Sequence, residues 1–381
     1  MPLFSRIYLT CFFLFYFGIA QGDSLQLLLQ NIFHRPLPHT SWPMALLLTA
    51  VLIICSRKME GKGTRITSRW HTDTFLPYVA AAWIAAILVS IPFASCLRIL
   101  ALTLIALIMG AAHLWIVHCR NQRKQHGPSN IWRRMLPQLM QLLALSVYMG
   151  AGAAATDVQH FEMQTAFRLQ QGHPSKALQA GRKSLATTPR LFALRCLAMS
   201  TKPGSLPKHL FDQALPTRCG SEMLLLPDDE YQQRLLSPDT LTYRLGGMHR
   251  SPGELAVHYF QRCARSMGQH PSIASDYYLC ALLLDRQIDT FAREVQWFYG
   301  TDICSPAHRG RLPHYFAEAL VLYTRMRTQP LLTYRDATIE ANFHDYSAMG
   351  DSIHNATARQ NLLRDSYGDT YWWYYEYAQN L

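Results

Sequence analysis

Long uncharged apolar segments constrain the fold of this chain more than any other feature. Residues 75–95, 99–117 and 135–155 contain no Asp, Glu, Lys or Arg. A helix that crosses a bilayer needs about 20 predominantly apolar residues. Each of the three segments therefore predicts a membrane-spanning helix.

Two shorter apolar stretches, residues 7–20 and 42–55, are each 14 residues long. This length also suits a buried or re-entrant helix. Residues 7–20 could instead be a cleaved secretory signal, since Arg6 precedes them and small residues end them. We favour retained helices in both places, which gives a transmembrane domain over residues 1–155 with five helices.

The net charge of +11 is distributed unevenly along the chain. Residues 1–155 hold thirteen Lys or Arg against three Asp or Glu, whereas the remaining residues hold twenty-three against twenty-two. The basic excess thus belongs to the apolar part, where it is typical of membrane topology signals. A nucleic acid partner is not expected.

The positive charges also predict an orientation in the membrane. Arg6 and the stretches 57–73 and 119–134 together carry eleven Lys or Arg, while the alternate loops 21–41 and 96–98 carry two. Because Lys and Arg accumulate on the cytoplasmic side, the N-terminus is expected in the cytoplasm. Residues 156–381 are then expected outside it, on a multi-pass protein of the inner (cytoplasmic) membrane.

The second domain, residues 156–381, has the periodicity of a helical protein. Residues 160–189 predict two helices joined by a turn at 172–174. Similar helical segments follow at 255–266, 274–284, 289–299 and 312–327. Gly172, Ala177 and Pro189 resemble the small-residue and terminal-proline positions of a tetratricopeptide repeat. We therefore expect an all-α chain: a transmembrane bundle followed by an irregular, tetratricopeptide-like stack of helical hairpins.

Four further stretches carry a family resemblance: "KSLATTPR", "GSEMLLLP", "YRLGGM" and the terminal "YGDTYWWYY". They are similar to an uncharacterised multi-pass membrane-protein family of Bacteroides-type bacteria. The resemblance implies an apolar multi-pass region before a helical domain. It implies no activity.

The nine cysteines and sixteen histidines do not form a recognisable metal motif. There is no C-x-x-C and no H-E-x-x-H sequence. Neither a metal nor another cofactor is expected. The cysteines after residue 156 are interpreted as buried thiols, with a Cys196–Cys219 disulfide as the alternative in an oxidising compartment.

Asp23 is the candidate catalytic residue. It follows the first apolar segment on the predicted outer side. Multi-pass lipid-linked sugar transferases use an acidic residue in a similar place as a general base or metal ligand. The alternative is a solvated turn residue.

The C-terminal stretch 371–377 contains six aromatic rings. Trp372, Trp373, Tyr375 and Tyr377 are the candidate binding residues. A helix capped by Asp369 or Thr370 would place them on several faces. Three interpretations remain open: a closing helix packed into the domain, an anchor at the membrane interface, and a stacking platform for a sugar.

These features favour a non-catalytic function: a membrane-anchored helical scaffold or binding module outside the cytoplasm, with a protein partner in the envelope. One alternative is an enzyme that processes envelope lipids or glycans, with Asp23 at its site. Another is a subunit of a membrane transport or assembly complex.

Overall fold

A computed structural model describes residues 3–33, 41–66, 75–90, 96–123, 140, 143–149, 156–216, 220–300, 303 and 312–377. The regular structure of these residues is helical and contains no strand, which confirms the all-α expectation. The chain divides into two compact units, Met1–Met163 and Gln164–Leu381. They are called the N-terminal and C-terminal units below.

The N-terminal unit contains five long helices among its described residues. These are α1 (Leu3–Phe15, continued by a π-helical turn at Tyr16–Ala20), α2 (Gly22–Phe33), α3 (Ser41–Ile66), α4 (Phe75–Ser90) and α5 (Cys96–Arg123). They include most of the first four predicted segments. The fifth, 135–155, lies mostly outside the described residues, although 143–147 are helical.

No single helix among the described residues is both long enough and apolar enough to cross a bilayer. The segments Thr10–Ala20 and Gly22–Gln30 meet the requirement only together, and they meet at an angle of 70°. The five-helix transmembrane bundle therefore stays a prediction.

The bend before α2 corrects the expectation of a loop after residue 20. Its cause is a π-helical turn, in which the Gln21 N–H donates to the Tyr16 carbonyl at 2.7 Å. Gly18 lies in this turn, and a Cβ there would be 2.9 Å from the Trp42 ring. A larger residue would have to push that ring away. The chain then resumes a helical course at Gly22.

Apolar side chains lie on both the inside and the outside of the N-terminal unit. Its core includes Phe13, Phe17 and Leu25, together with alanines of α3 and α4 that allow close helix approach. Large apolar side chains also cover the outer surface, including Ile19, Leu47, Ile54, Leu107 and Val147.

The C-terminal unit begins at Gln164, inside the helix α6, and consists of short and medium helices. Its elements are α6 (Asp157–Gln170), α7 (Pro174–Ala177), α8 (Pro189–Met199), α9 (Leu206–His209), a 3₁₀ turn (Ser221–Leu224), α10 (Glu230–Leu235), α11 (Asp239–Arg244), α12 (Ala256–Ser266), α13 (Ile273–Leu284), α14 (Ile288–Tyr299), α15 (His314–Met326), α16 (Ala337–Asp351), α17 (Ala356–Tyr367) and α18 (Tyr371–Tyr377).

From α12 to α17 each helix packs against the next one along the chain. Helix α13 is buried along its whole length and contacts both α12 and α14. Helix α18 returns to pack on α15 and α17. The predicted segments 255–266, 274–284, 289–299 and 312–327 match α12 to α15 within two residues and are confirmed.

The predicted second helix of the first hairpin is wrong. Helix α7 ends at Ala177, and Gly181 adopts a left-handed φ of 63° in the turns that follow. Leu185, which an amphipathic second helix would bury, is 81% exposed. Pro189 begins α8 rather than ending a helix, because the Thr188 hydroxyl caps α8 by accepting the Leu191 N–H at 3.1 Å.

Candidate functional site

Asp23 lies in the first turn of α2 and not in a solvated loop. Its carboxylate Oδ2 is 3.3 Å from Nδ1 of His160, in the first turn of α6. The two side chains are only 13% and 18% exposed. The fold thus joins the predicted catalytic residue to a histidine that lies 137 positions away.

The surroundings of Asp23 are polar although the unit is apolar. Gln21 and Ser24 are buried, and the Ser24 hydroxyl donates to Oε1 of Gln21 at 3.1 Å. The N-terminus of α2 favours a negative charge at Asp23. A carboxylate that orients an imidazole is an arrangement able to accept and return a proton.

No group of three or more His, Cys, Asp or Glu side chains in the described part of the chain could hold a metal ion. The 3.3 Å contact between Asp23 and His160 has the geometry of an acid–base pair. The role of Asp23 in catalysis stays a prediction.

The aromatic rings of α18 are largely buried. Trp372 contacts Phe343 and Tyr346, and Trp373 contacts Tyr377 with ring centroids 5.8 Å apart. Of the four candidate binding residues, Tyr375 is partly exposed and the other three are buried. Their contacts are those of packed side chains, and their predicted role in binding a ligand stays a prediction.

Thr370 caps α18, since its hydroxyl accepts the Trp373 N–H at 3.4 Å. It is one of the two capping residues predicted from the sequence. The helix is also anchored through its own polar groups. The Tyr374 hydroxyl donates to the Leu284 carbonyl at the end of α13, at 2.6 Å. These bonds fix the closing helix to the interior of the stack.

A second acid–imidazole pair lies at the start of α18. Glu318 is 2% exposed and accepts the Tyr371 N–H at 2.7 Å, while Nε2 of His314 lies 3.0 Å from its other oxygen. Burial raises the pKa of Glu318 above its ordinary value. The hydrogen bond to Glu318 raises the pKa of His314.

Asp212 extends this cluster on the side of α9. It accepts the Tyr315 hydroxyl at 2.5 Å and lies 2.7 Å from Nδ1 of His209. Both His209 and His314 are about half exposed. The cluster is not among the sequence-based predictions, although the i, i+4 spacing of His314 and Glu318 on a helix is a signal for half of it.

A third ionisable group, Asp276, is buried inside the stack. Its two oxygens accept the Gly204 N–H at 2.6 Å and the Tyr299 hydroxyl at 2.9 Å. Burial raises the pKa of Asp276 to about 7 despite both hydrogen bonds. The group joins the 201–205 turn to α13 and α14, which is a structural role.

Cys196, Cys263 and Cys280 are free thiols in the core of the C-terminal unit. Burial raises the pKa of each thiol, so none is activated as a nucleophile. Cys219, the other member of the disulfide considered above, lies outside the described residues.

Comparison with known protein families gives a match in the C-terminal unit. Residues 257–378 match the sequence model of a family of unknown function (DUF6057). The match extends from α12 to α18 and contains only the last of the four resembling stretches. No curated protein and no solved structure matches the chain. An uncharacterised family is thus supported for the C-terminal region, without an activity.

Proposed function

We propose that this chain is an integral protein of the cytoplasmic membrane that presents its C-terminal unit outside the cytoplasm as a binding module for an envelope protein. The N-terminal unit is the membrane anchor in this proposal. The helical stack of the C-terminal unit is the binding part.

The observation that carries the proposal is the apolar outer surface of the N-terminal unit. On α5, Leu100, Leu104, Leu107, Ile108 and Trp115 are each 58–71% exposed. Successive residues are 100° apart around a helix, so these five share one face. A continuous apolar face of this kind in water would promote aggregation. Lipid chains are the natural solvent for it.

The small residues inside the unit support the same proposal. Ala82, Ala85 and Ala86 of α4 are fully buried, and α4 packs on α3 and α5. Membrane helices associate through small residues because lipid supplies no hydrophobic drive to bring them together. The excess of Lys and Arg at 57–73 and 119–134 supports the orientation.

The binding role is supported by the packing of the C-terminal unit. Helices α12 to α17 stack in chain order, as the helices of solenoid proteins do. Such stacks commonly serve as extended surfaces for protein partners. The tetratricopeptide-like character of this stack is part of the proposal.

Two fusions test the membrane orientation. A reporter that is active only outside the cytoplasm should be active after Leu381 and inactive within 57–73. Alkaline extraction of the membranes should leave the chain in the pellet. Activity of both fusions, or release into the supernatant, would contradict the proposed topology. Crosslinking in intact cells should then recover a specific envelope protein, and recovery of abundant membrane proteins alone would count against a binding module.

The Asp23–His160 pair favours a second candidate, an enzyme that processes envelope lipids or glycans. In the proposed orientation the pair lies near the outer face of the cytoplasmic membrane, where such substrates are present. Asp23→Asn and His160→Gln should each fail to complement a null strain. Asp345→Asn and His344→Gln are matched controls, since this His–Asp pair is highly exposed. Full complementation by all four variants would rule out catalysis by the pair.

A further inference from the structure

Asp23 is the first member of a polar face on α2. Gln26 and Gln30 follow it at intervals of three and four residues, so the three side chains lie within about 60° around the helix. Both glutamines are buried, while Leu25 on the other side belongs to the apolar core. The polar face runs roughly 10 Å along the helix at 1.5 Å per residue.

Gln30 is incompletely hydrogen-bonded. The side chain is 8% exposed, and its Oε1 atom has no hydrogen-bond partner among the described residues. A buried polar atom without a partner is unfavourable because it has lost its hydrogen bonds to water. In an apolar unit that cost is offset when a ligand supplies the missing donor.

The helix break places this face at a distinctive position. The π-helical turn Tyr16–Ala20 and the 70° bend precede α2 directly. Interruptions of this kind within helices are frequent at functional sites. Polar side chains inside a membrane unit are themselves expensive and commonly functional. The break and the polar face thus point to the same region independently.

The chemistry of the side chains on this face indicates the kind of ligand that fits it. Asp23 accepts hydrogen bonds, the buried oxygen of Gln30 needs a donor, and an amide nitrogen such as that of Gln26 donates. A phosphate would be repelled by Asp23 and would supply no donor to Gln30. Hydroxyl groups both donate and accept, so a ring that carries several of them matches the face.

We infer that the polar face of α2, formed by Asp23, Gln26 and Gln30 and completed by His160, binds a neutral polyhydroxy group, the sugar headgroup of a glycolipid. This inference rests on the second function proposed above and names its substrate class. Asp23 and His160 lie at one end of the face, and Gln30 holds the sugar at the other end.

Native mass spectrometry of the full chain in a sugar-free detergent provides the test. The two probes are monoglucosyl diacylglycerol and diacylglycerol, which differ only in the sugar. The glucosylated lipid should bind at least tenfold more tightly. Gln30→Leu should remove this preference, whereas Gln171→Leu, which alters an exposed glutamine, should retain it. Melting curves of both variants establish that they are folded.

A second variant keeps the test informative if Gln30→Leu does not fold. Gln30→Asn retains an amide, but its side chain is one methylene shorter and should not reach the sugar. The preference for the glucosylated lipid should therefore fall while the protein stays folded. Equal binding of the two lipids, or a preference that survives in a folded Gln30 variant, would overturn the inference. Loss of complementation by Asp23→Asn together with equal lipid binding would leave the enzyme proposal standing and remove only the sugar site.

Discussion

The stability of the C-terminal unit should fall as the pH rises from 4 to 7, and Asp276 should be a principal cause. In the folded chain this carboxyl group is buried and accepts the Gly204 N–H and the Tyr299 hydroxyl. In the unfolded chain it is solvated and ionises near its ordinary pKa of about 3.9. The folded state therefore holds a proton that the unfolded state releases.

The size of the effect follows from the pKa. The folded value is about 7, so the two states differ by about three units, and each unit corresponds to 1.36 kcal/mol. The proton on Asp276 should therefore contribute about 4 kcal/mol to the free energy of unfolding. This contribution is complete below pH ~4 and is lost as the pH passes through ~7. Glu318 and His314 also have raised pKa values, so they change stability in the same direction.

Urea midpoints of the full chain in mild detergent, measured between pH 5 and pH 8, test this prediction. Asp276→Asn removes the titrating group but leaves only one acceptor oxygen, so one of the two donors loses its partner at a cost of about 1–3 kcal/mol. The variant should be less stable than the parent at pH 5 and as stable or more stable at pH 8. Asp365→Asn, at an exposed position of α17, is the control. Parallel pH profiles for Asp276→Asn and the parent would refute the reasoning.

Three substitutions test other parts of the structure. Trp373→Ala should lower the free energy of unfolding by about 3–5 kcal/mol because the ring is buried; a loss no larger than that of the half-exposed Trp297→Ala would contradict this packing. Thr188→Ala should lower the free energy of unfolding by about 1 kcal/mol, because α8 loses its N-terminal cap. Urea denaturation measures this loss, and Thr188→Ser should retain the cap and the stability. Leu104→Arg should make membrane insertion of α5 about 3 kcal/mol less favourable, because the proposed anchor turns this side chain towards lipid. Unchanged recovery of the variant in the membrane fraction would contradict a lipid-facing position for Leu104.

The helices of the C-terminal unit could be predicted where one face is apolar. Helices α12 and α14 bury residues at steps of three and four, and the sequence shows that period. The stretch 174–188 has a similar period, but α7 ends at Ala177 and Gly181 takes a left-handed conformation in the turns that follow. Pro189 is ambiguous in sequence, because proline both follows one helix and begins another.

Much less of the candidate site could be predicted. Asp23 was identified from its position after an apolar segment, whereas nothing local to His160 indicates that it pairs with Asp23. The contact depends on tertiary structure, since 137 positions separate the two residues. The apolar length rule does not predict α2 either, because the helix has only 12 residues and includes Asp23, Gln26 and Gln30.

The two units use the same residue types in opposite ways, which explains why aromatic and apolar content alone did not identify a binding surface. In the N-terminal unit, large apolar side chains such as Leu107 are exposed. In the C-terminal unit the dense aromatic segment 371–377 lies mostly inside. There Tyr374 reaches the end of α13 and the Tyr371 N–H reaches Glu318 on α15. The tail thus joins earlier helices of the stack, and the match to residues 257–378 extends through this closing helix. Its buried rings therefore belong to the packed end of the stack.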